Sequence, residues 1–536
     1  MRALLINPSM PPSFWTFAET CRLHGNRTLL PPLGLITWAA LLPEDWEFRL
    51  ADLSTRSMTE EDWEWSDLVM ITGMIVQKES LLALIREAKI RGKTVVVGGP
   101  YATSVPGEVL DAGTDFLIRG EAENTASKFL SALHAGQTSG VFEAEKKPAM
   151  ETSPVPRFDL LAPENYAAMA LQTSRGCPFD CEFCDIVNLY GRLPRYKSPD
   201  QIIRELEIIF RLGWRRDVFI CDDNFIGNRK HATKILDELT PWMKSHGEPF
   251  SFWAQTSLNL GADPEMIDRL TEANFSYVFI GIESPDTETL ILNRKFQNVR
   301  NSPAEAIRTI RQRGLTPLSS FVIGFDNEKK GTGEGIVSFV QDNDIPMAML
   351  NTLQVLPNTS LWDRLKKEGR LLEERTGGNT TGGRLNYVPS RPEAEIMQEY
   401  LEACQKLYEP SAYLQRTYRH YMDMRPTRRA LGIEEPEAAC ASTSGVKGQS
   451  FRATLNDLRA LLRFIWKHGI VPRYRLQFWK QLVGVYLKNP SRMKQYLYTC
   501  LMGENVFGIP EDLRKAMSDS IRMPDRSIQF PLKIAN

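Results

Sequence analysis

The run Met169-Ala-Leu-Gln-Thr-Ser-Arg-Gly-Cys177-Pro-Phe-Asp-Cys181-Glu-Phe-Cys184 joins a short apolar segment to three closely spaced cysteines. Residues 169–173 read as a strand, and a C-x3-C-x2-C spacing follows at once. Thiolates at such spacings hold iron–sulfur clusters. Three of them can hold three irons of a [4Fe–4S] cluster and leave the fourth iron open to a ligand that is not protein. A structural zinc site wants a fourth ligand nearby. The next cysteine, Cys221, falls on another predicted strand, and no histidine lies near the loop.

Downstream of the cysteines, apolar strands alternate with helical patterns. The strands are expected at 169–173, 218–221, 250–256, 277–282, 318–324 and 347–355. The helices fall near 199–212, 229–245, 264–273, 303–313 and 331–342. Ser198 can cap the first of these helices, Pro199 suits its first position, and Gln201 completes a capping box. Six units of about 30 residues predict a partial or full β/α barrel over 166–390, with its chemistry at the carboxyl ends of the strands.

Upstream, residues 1–140 show a second alternating series. Strands are expected at 3–6, 47–51, 68–72, 94–97 and 115–118, with helices near 34–42 and 79–90. Short, wholly apolar strands between helices predict a parallel, Rossmann-like sheet covered on both faces. Such sheets place ligands at their carboxyl edge. Residues 141–165, with several prolines, read as a linker. After 391 the pattern becomes mostly helical, and 434–450 reads as a second linker.

The chain has 536 residues, enough for about three domains. Lys and Arg total 65 against 66 Asp and Glu, a net charge of -1, which excludes a protein that coats nucleic acid generally. No secretory signal and no long apolar span is legible at the start or elsewhere. Eight cysteines are too few for a disulfide scaffold, so a reducing, cytoplasmic setting is expected.

With these motifs in hand, the chain resembles the radical S-adenosylmethionine (radical SAM) superfamily, Phe183 standing in the usual aromatic place before the last cysteine. The resemblance implies that Cys177, Cys181 and Cys184 hold a [4Fe–4S] cluster. The open iron then binds S-adenosylmethionine, whose reductive cleavage yields a carbon radical that takes a hydrogen atom from substrate. It further implies S-adenosylmethionine contacts at strand ends: Asp222 and Asp223, Gln255 and Ser257, Glu283, Gly324 and Val355. The preceding sheet resembles a cobalamin-binding domain, which assigns Thr72, Gly73, Gly98 and Gly99 to the cofactor's nucleotide tail. Residues 7–12 (NPSMPP) carry no histidine where histidine-ligating cobalamin domains have one, so no histidine bond to cobalt is expected.

Longer stretches narrow the resemblance. Cys184-Asp185-Ile186, Leu189-Tyr190-Gly191-Arg192, residues 222–228 (DDNFIGN) and 279–283 (FIGIE) are similar to hopanoid C-2 methylases and related cobalamin-dependent radical methylases. The implied activity is methyl transfer to an unactivated carbon of a hydrophobic, hopanoid-like lipid, with electrons from a low-potential donor. Alternatives are a bacteriochlorophyll-type tetrapyrrole methylase, a ring-forming or rearranging enzyme with the same cofactors, or a corrinoid or Fe–S sensor.

Residues 452–494 hold ten Lys and Arg against one acid, Asp457, with Phe464, Trp466, Phe478 and Trp479 among them. Basic residues interleaved with rings suit a membrane surface; a basic helical face over the barrel is the other reading. No nucleic-acid partner is expected, since no RNA-binding module accompanies the stretch.

Overall fold

The computed structural model describes residues 1–378, 384–433, 458 and 461–522. The linker expected at 434–450 lies outside the described residues.

Two six-stranded sheets organise the chain. The first contains β1 (Arg2–Asn7), β2 (Glu47–Asp52), β3 (Leu68–Thr72), β4 (Thr94–Gly98), β5 (Phe116–Arg119) and β6 (Gly140–Glu143). Its spatial order is β2-β1-β3-β4-β5-β6, all parallel. Alternate side chains feed two cores. Leu4, Ile6, Val69, Ile71, Val95 and Val97 pack under the helix Lys78–Ile90, while Ala3, Leu5, Met70, Val96 and Phe116 pack on Leu35 and Trp38. Two buried faces explain why these strands read as unbroken apolar runs.

β6 is a correction to the sequence reading, which ended the sheet at 118 and began a linker at 141. Its burial alternates between half-buried and exposed. An edge strand with so little apolar content gives no run to recognise.

The second sheet follows the chain: β7 (Met169–Leu171), then, after the short antiparallel pair β8 (Ser174–Arg175) and β9 (Arg195–Tyr196), β10 (Asp217–Ile220), β11 (Ser251–Thr256), β12 (Phe275–Glu283), β13 (Thr316–Ile323) and β14 (Met347–Thr352). All six neighbours pair in parallel in sequence order. This is a partial β/α barrel. Helices Pro199–Arg211, Arg229–Ser245, Pro264–Glu272, Pro303–Gln312 and Thr332–Asp342 cover it. The Ser198–Gln201 capping box forms as expected.

The segment after β1 leaves the first sheet and enters the barrel. Phe14, Phe17, Cys21 and Leu23 belong to the barrel's core, beside Met169, Trp253 and Tyr277. The C-terminal region is helical, including Glu393–Leu407, Pro410–Asp423, Arg475–Lys488 and Met493–Met502. Tyr277 meets Thr499 from the last of these at 3.0 Å, so these helices help close the open side of the barrel.

Candidate functional site

The three cysteines lie on the loop between β8 and the helix Ile186–Tyr190, all half-buried and free of disulfides. Burial pushes the Cys177 thiol up to about 11, and Cys184 is raised further by the same cause. Thiols so disfavoured as thiolates are suited to a metal, whose charge offsets the cost. Among the described residues no three Cys, His, Asp or Glu groups converge as ligands of one ion do. A cube that takes one thiolate at each of three irons requires them spread apart. Gln297 Nε2 donates to Cys181 Sγ at 3.4 Å, a contact of the kind that tunes cluster potentials. The Phe183 ring lies 5.5 Å from that of Phe325 and under the Lys295 ammonium.

Asp222 accepts four hydrogen bonds from the strand entering this loop. Thr173 N–H reaches Oδ1 at 2.6 Å and Ser174 N–H at 3.0 Å; the Ser174 hydroxyl donates to Oδ2 at 2.7 Å, as does that of Thr173. Both oxygens are spent inside the protein. Asp222 therefore braces the cluster loop. Asp223 differs: one oxygen takes Gly176 N–H at 2.9 Å, and the other has no hydrogen-bond partner among the described residues. Burial pushes its carboxyl up to about 7.

Strand register shows what faces the bore. Phe219 pairs with Trp253, and Gln255 with Phe279, so these residues share one face of the sheet. The lower bore is filled by Phe17, Trp253, Tyr277 and Tyr498, with ring centroids 4.7–6.4 Å apart. Above them Trp15 reaches in from the loop after β1, its ring 4.8 Å from Phe279, yet it stays 43% exposed. The upper level is thus aromatic, with the Trp15 ring exposed on the buried Phe279. Gln255 lies at this level, half-buried. Ser257 accepts from Asn224 at 3.0 Å and donates to Asn259 at 2.5 Å.

Glu283 ends β12 in the left-handed region (φ 65°), where the register with β13 slips. Its carboxylate takes Lys295 Nζ at 2.5 Å and the Ser320 hydroxyl at 3.2 Å. Burial opposes the Lys295 charge, but Glu283 and the thiols of Cys181 and Cys184 outweigh it and raise its pKa. The expected ligand carboxylate is thus one half of a buried ion pair beside the cluster loop. Gly324 (φ 102°) donates to Glu328 at 2.8 Å and accepts from the Tyr387 hydroxyl, and a Cβ there would meet Leu385 at 3.1 Å. Val355 is fully buried, its N–H and C=O paired with the Asn386 amide at 2.9 and 2.8 Å. These two positions, read from the sequence as S-adenosylmethionine contacts, are covered by the chain itself.

At the carboxyl edge of the first sheet, Thr72 pairs with Gly98. Gly99 adopts φ 90°, and a Cβ on it would stand 3.3 Å from both Gly73 N and Thr72 Cβ. Glycine is needed here for the approach of one loop to the other. The sheet order reverses between β1 and β3, the place where such sheets open a crevice. His24 lies elsewhere, its ring 5.7 Å from that of Tyr498.

This edge faces the cluster loop. Asn358, beyond β14, donates to Ser104 O at 2.9 Å and accepts from Asn188 at 2.5 Å. Glu121, after β5, bridges Arg175 at 2.8 Å and Arg195 at 2.7 Å, and Glu123 joins Arg175 at 2.8 Å.

Two patterns of related chains match: the radical SAM superfamily over residues 171–340 and a domain family of unknown function (DUF4070) over 359–519. An uncharacterized methyltransferase of Synechocystis is 44% identical, over 97% of this chain and 94% of that one. The hopanoid C-2 methylase of Rhodopseudomonas palustris is 33% identical, over 89% and 88%. The chain belongs to the cobalamin-dependent radical SAM methylases. Among solved structures, the cobalamin-dependent S-adenosylmethionine radical enzyme OxsB with aqua-cobalamin bound shares its fold, with a TM-score of 0.60 at 15% identity over 98% of this chain and 81% of that one.

The radical SAM match takes in the cysteine loop of this methylase, and the solved methyltransferase TsrM from Kitasatospora setae, with a TM-score of 0.53 at 18% identity over 70% of this chain and 76% of that one, is described with cobalamin and a [4Fe–4S] cluster bound. Sequence reading missed the groups that fix its cluster loop. Glu182, between two cysteines, grips Arg364 through two bonds of 2.8 and 3.1 Å, and Arg364 and Arg370 converge on Asp326. The Glu121–Arg175–Arg195 clasp was missed as well. An acid between two cysteines was the available signal, but its partner lies 182 residues away.

Proposed function

We propose that this methylase adds a methyl group to an unactivated carbon of a hopanoid-like lipid. The observation that carries the reading is the aromatic lining of the bore, with exposed Trp15 on Phe279 above a floor filled by Phe17, Trp253, Tyr277 and Tyr498. The similarity to the hopanoid C-2 methylase over nearly the whole chain supports it.

When bound, the cluster and S-adenosylmethionine supply a carbon radical able to take a hydrogen atom, and cobalamin supplies the methyl group. In this proposal Cys177, Cys181 and Cys184 hold the cluster, with Phe183 packed beside them. Asp223 and Gln255 present polar atoms to S-adenosylmethionine, with Ser257 oriented by Asn224 and Asn259. Asp222, Glu283, Gly324 and Val355 position these groups from behind. Thr72, Gly73, Gly98 and Gly99 admit the nucleotide tail of cobalamin. The aromatic rings keep water from the reacting carbon and orient an apolar substrate.

Peripheral contact with a membrane belongs to the same proposal, as does a low-potential electron donor in a reducing cytoplasm. Among the described residues no helix is long and apolar enough to cross a bilayer. Arg475–Lys488 buries Phe478 and Val485 against the core yet leaves other apolar side chains outside: Leu476 is 77% exposed, and Trp479, Val483 and Leu487 are exposed with it. Trp466 and Ile470 are exposed alongside, and no acid occurs between 461 and 494. A lipid surface satisfies both features, with rings at headgroup depth and cations on phosphates.

The test uses anaerobically reconstituted enzyme, S-adenosylmethionine carrying a labelled methyl group, and a hopanoid in anionic vesicles. Label in the lipid together with 5′-deoxyadenosine is the expected result. Nucleoside without label in any lipid would discard the substrate assignment.

A further inference from the structure

A basic surface stands against the cluster loop, where Asn259 and the segment 294–301 approach it. A cavity of about 350 Å³ opens there between Phe179, Asp180, Arg192, Arg294, Phe296 and Arg300. Gln297, in its wall, touches Cys181 Sγ at 3.4 Å, so the cavity lies one side chain from a cluster ligand. Three guanidiniums face a single carboxylate, Asp180, which stands 3.8 and 3.7 Å from Arg192 and Arg294. Arg192, Arg294 and Arg300 are all exposed. On a chain of net charge -1 this is a local positive excess. Apolar groups stand among the charges: Leu193 is 83% and Phe296 51% exposed, with Ile291 and Leu292 exposed on the adjoining helix.

We propose that this face docks an acidic one-electron carrier protein that reduces the cluster. The inference rests on the radical SAM reading and adds to it the place where the electron enters. Exposed guanidiniums one side chain from a cluster ligand put this face within electron-transfer reach of a protein donor. Exposed apolar groups rimmed by like charges suit a small, transient interface, in which charge steers the encounter and a modest apolar centre holds it briefly. The step moves one electron from the reduced carrier to the oxidised cluster. The carrier is oxidised by one electron, the cluster is reduced by one, and no bond is made or broken. Positive charge at the mouth also favours the added negative charge on the cluster.

The experiment compares two reductants on the reconstituted holoenzyme, reading 5′-deoxyadenosine. One is a reduced, acidic [4Fe–4S] ferredoxin; the other is dithionite, which needs no docking face. The variant combines Arg192→Glu, Arg294→Glu and Arg300→Glu. The ferredoxin-driven rate is expected to fall by at least about tenfold, as steered associations do, while the dithionite-driven rate stays within about twofold. Raising salt from about 50 to about 300 mM shortens the screening length and should depress the ferredoxin rate of the native enzyme and spare the dithionite rate. Equal ferredoxin rates in variant and native enzyme would overturn the proposal. So would a parallel loss with both reductants, which would place the arginines in cluster or substrate binding. A native enzyme that gives no nucleoside even with dithionite would sink the radical SAM reading itself, and the docking proposal with it.

Discussion

The two sheets have six strands each, run parallel, and turn their carboxyl edges toward one another, yet different forces hold the two edges in shape. The edge of the first sheet is built by backbone contact: Gly99 against Gly73 and Thr72, with Gln77 donating to Pro8 O at 2.6 Å. The edge of the barrel is built by buried charge, in Asp222 with its four donors, Glu283 with Lys295, and Glu182 with Arg364. Backbone approach leaves a smooth crevice for a bulky ligand. Buried ion pairs hold a cluster loop rigidly but leave few carboxylates free to meet a ligand. Acids at strand ends in this barrel are thus largely taken up in bracing it, whereas glycines at the edge of the first sheet let one loop approach another.

Breaking the cluster itself should give the largest effect. Cys→Ala at 177, 181 or 184 is expected to remove the cluster's visible absorbance and cut 5′-deoxyadenosine formation by more than about a hundredfold, since losing even an outer partner of a metal ligand costs 10–100-fold. Next comes the ion pair. Lys295→Met strands a buried Glu283 and should cost about 3–5 kcal/mol in denaturant unfolding, much of which a Glu283→Gln change in the same chain should restore. A restored single-variant stability without the second change would mean the pair is not what holds this edge.

Neighbouring acids sharpen the contrast further. Asp222→Ala leaves buried donors unpaired and should cost about 1–3 kcal/mol in stability. Asp223→Asn should stay within about 0.5 kcal/mol of the native enzyme while raising the KM for S-adenosylmethionine about tenfold, as expected for one charged hydrogen bond. If the two variants exchange these behaviours, the assignment of brace and ligand contact is reversed. In the first sheet, Gly99→Ala forces a side chain into φ 90° beside Gly73. It should cost about 1–3 kcal/mol and lower the cobalamin retained per chain on gel filtration.

The smallest effect is a slope. Burial pushes the Glu328 carboxyl, bonded to Gly324 N–H, up to about 8 from an ordinary 4.5. The folded chain then binds a proton that the unfolded chain has released. Its contribution to stability is fully present below about 4.5 and is lost as pH rises through about 8. Unfolding curves taken between these limits should show the native enzyme losing stability with rising pH more steeply than Glu328→Gln. Parallel pH profiles would show that the carboxyl is ionised throughout.

Much of the architecture was legible because burial on both faces writes itself as apolar runs. The five strands read in residues 1–140 and all six of the barrel emerged within a few residues of their observed ends, and Ser198 announced the helix after β9. β6 was lost because an edge strand needs no such run. At the site, the cysteines were legible because their ligand chemistry is local in sequence. Gly99 stood out as a glycine at a strand end, and its φ of 90° beside Gly73 is a conformation that favours a residue without Cβ. Asp222 and Glu182 were not legible as braces, because their partners lie 48 to 182 residues distant. The Glu283 ion pair was hidden for another reason: Lys295 is only 12 residues on, but the bulge that turns the carboxylate toward it leaves no trace in composition. The cover over Val355 was hidden because Asn386 comes from a segment whose amide looks like any surface residue.

The loop after β1 has a consequence for anyone who would shuffle parts among these enzymes. Phe14, Phe17, Cys21 and Leu23 are numbered with the first sheet but are packed as part of the barrel. A chimera joined between the two sheets would marry one parent's plug to another parent's bore. Recombination should succeed only when residues 8–24 travel with the barrel they fill, so the practical seam between the two modules runs through the N-terminal strand's exit and not through the proline-bearing stretch that separates them on paper.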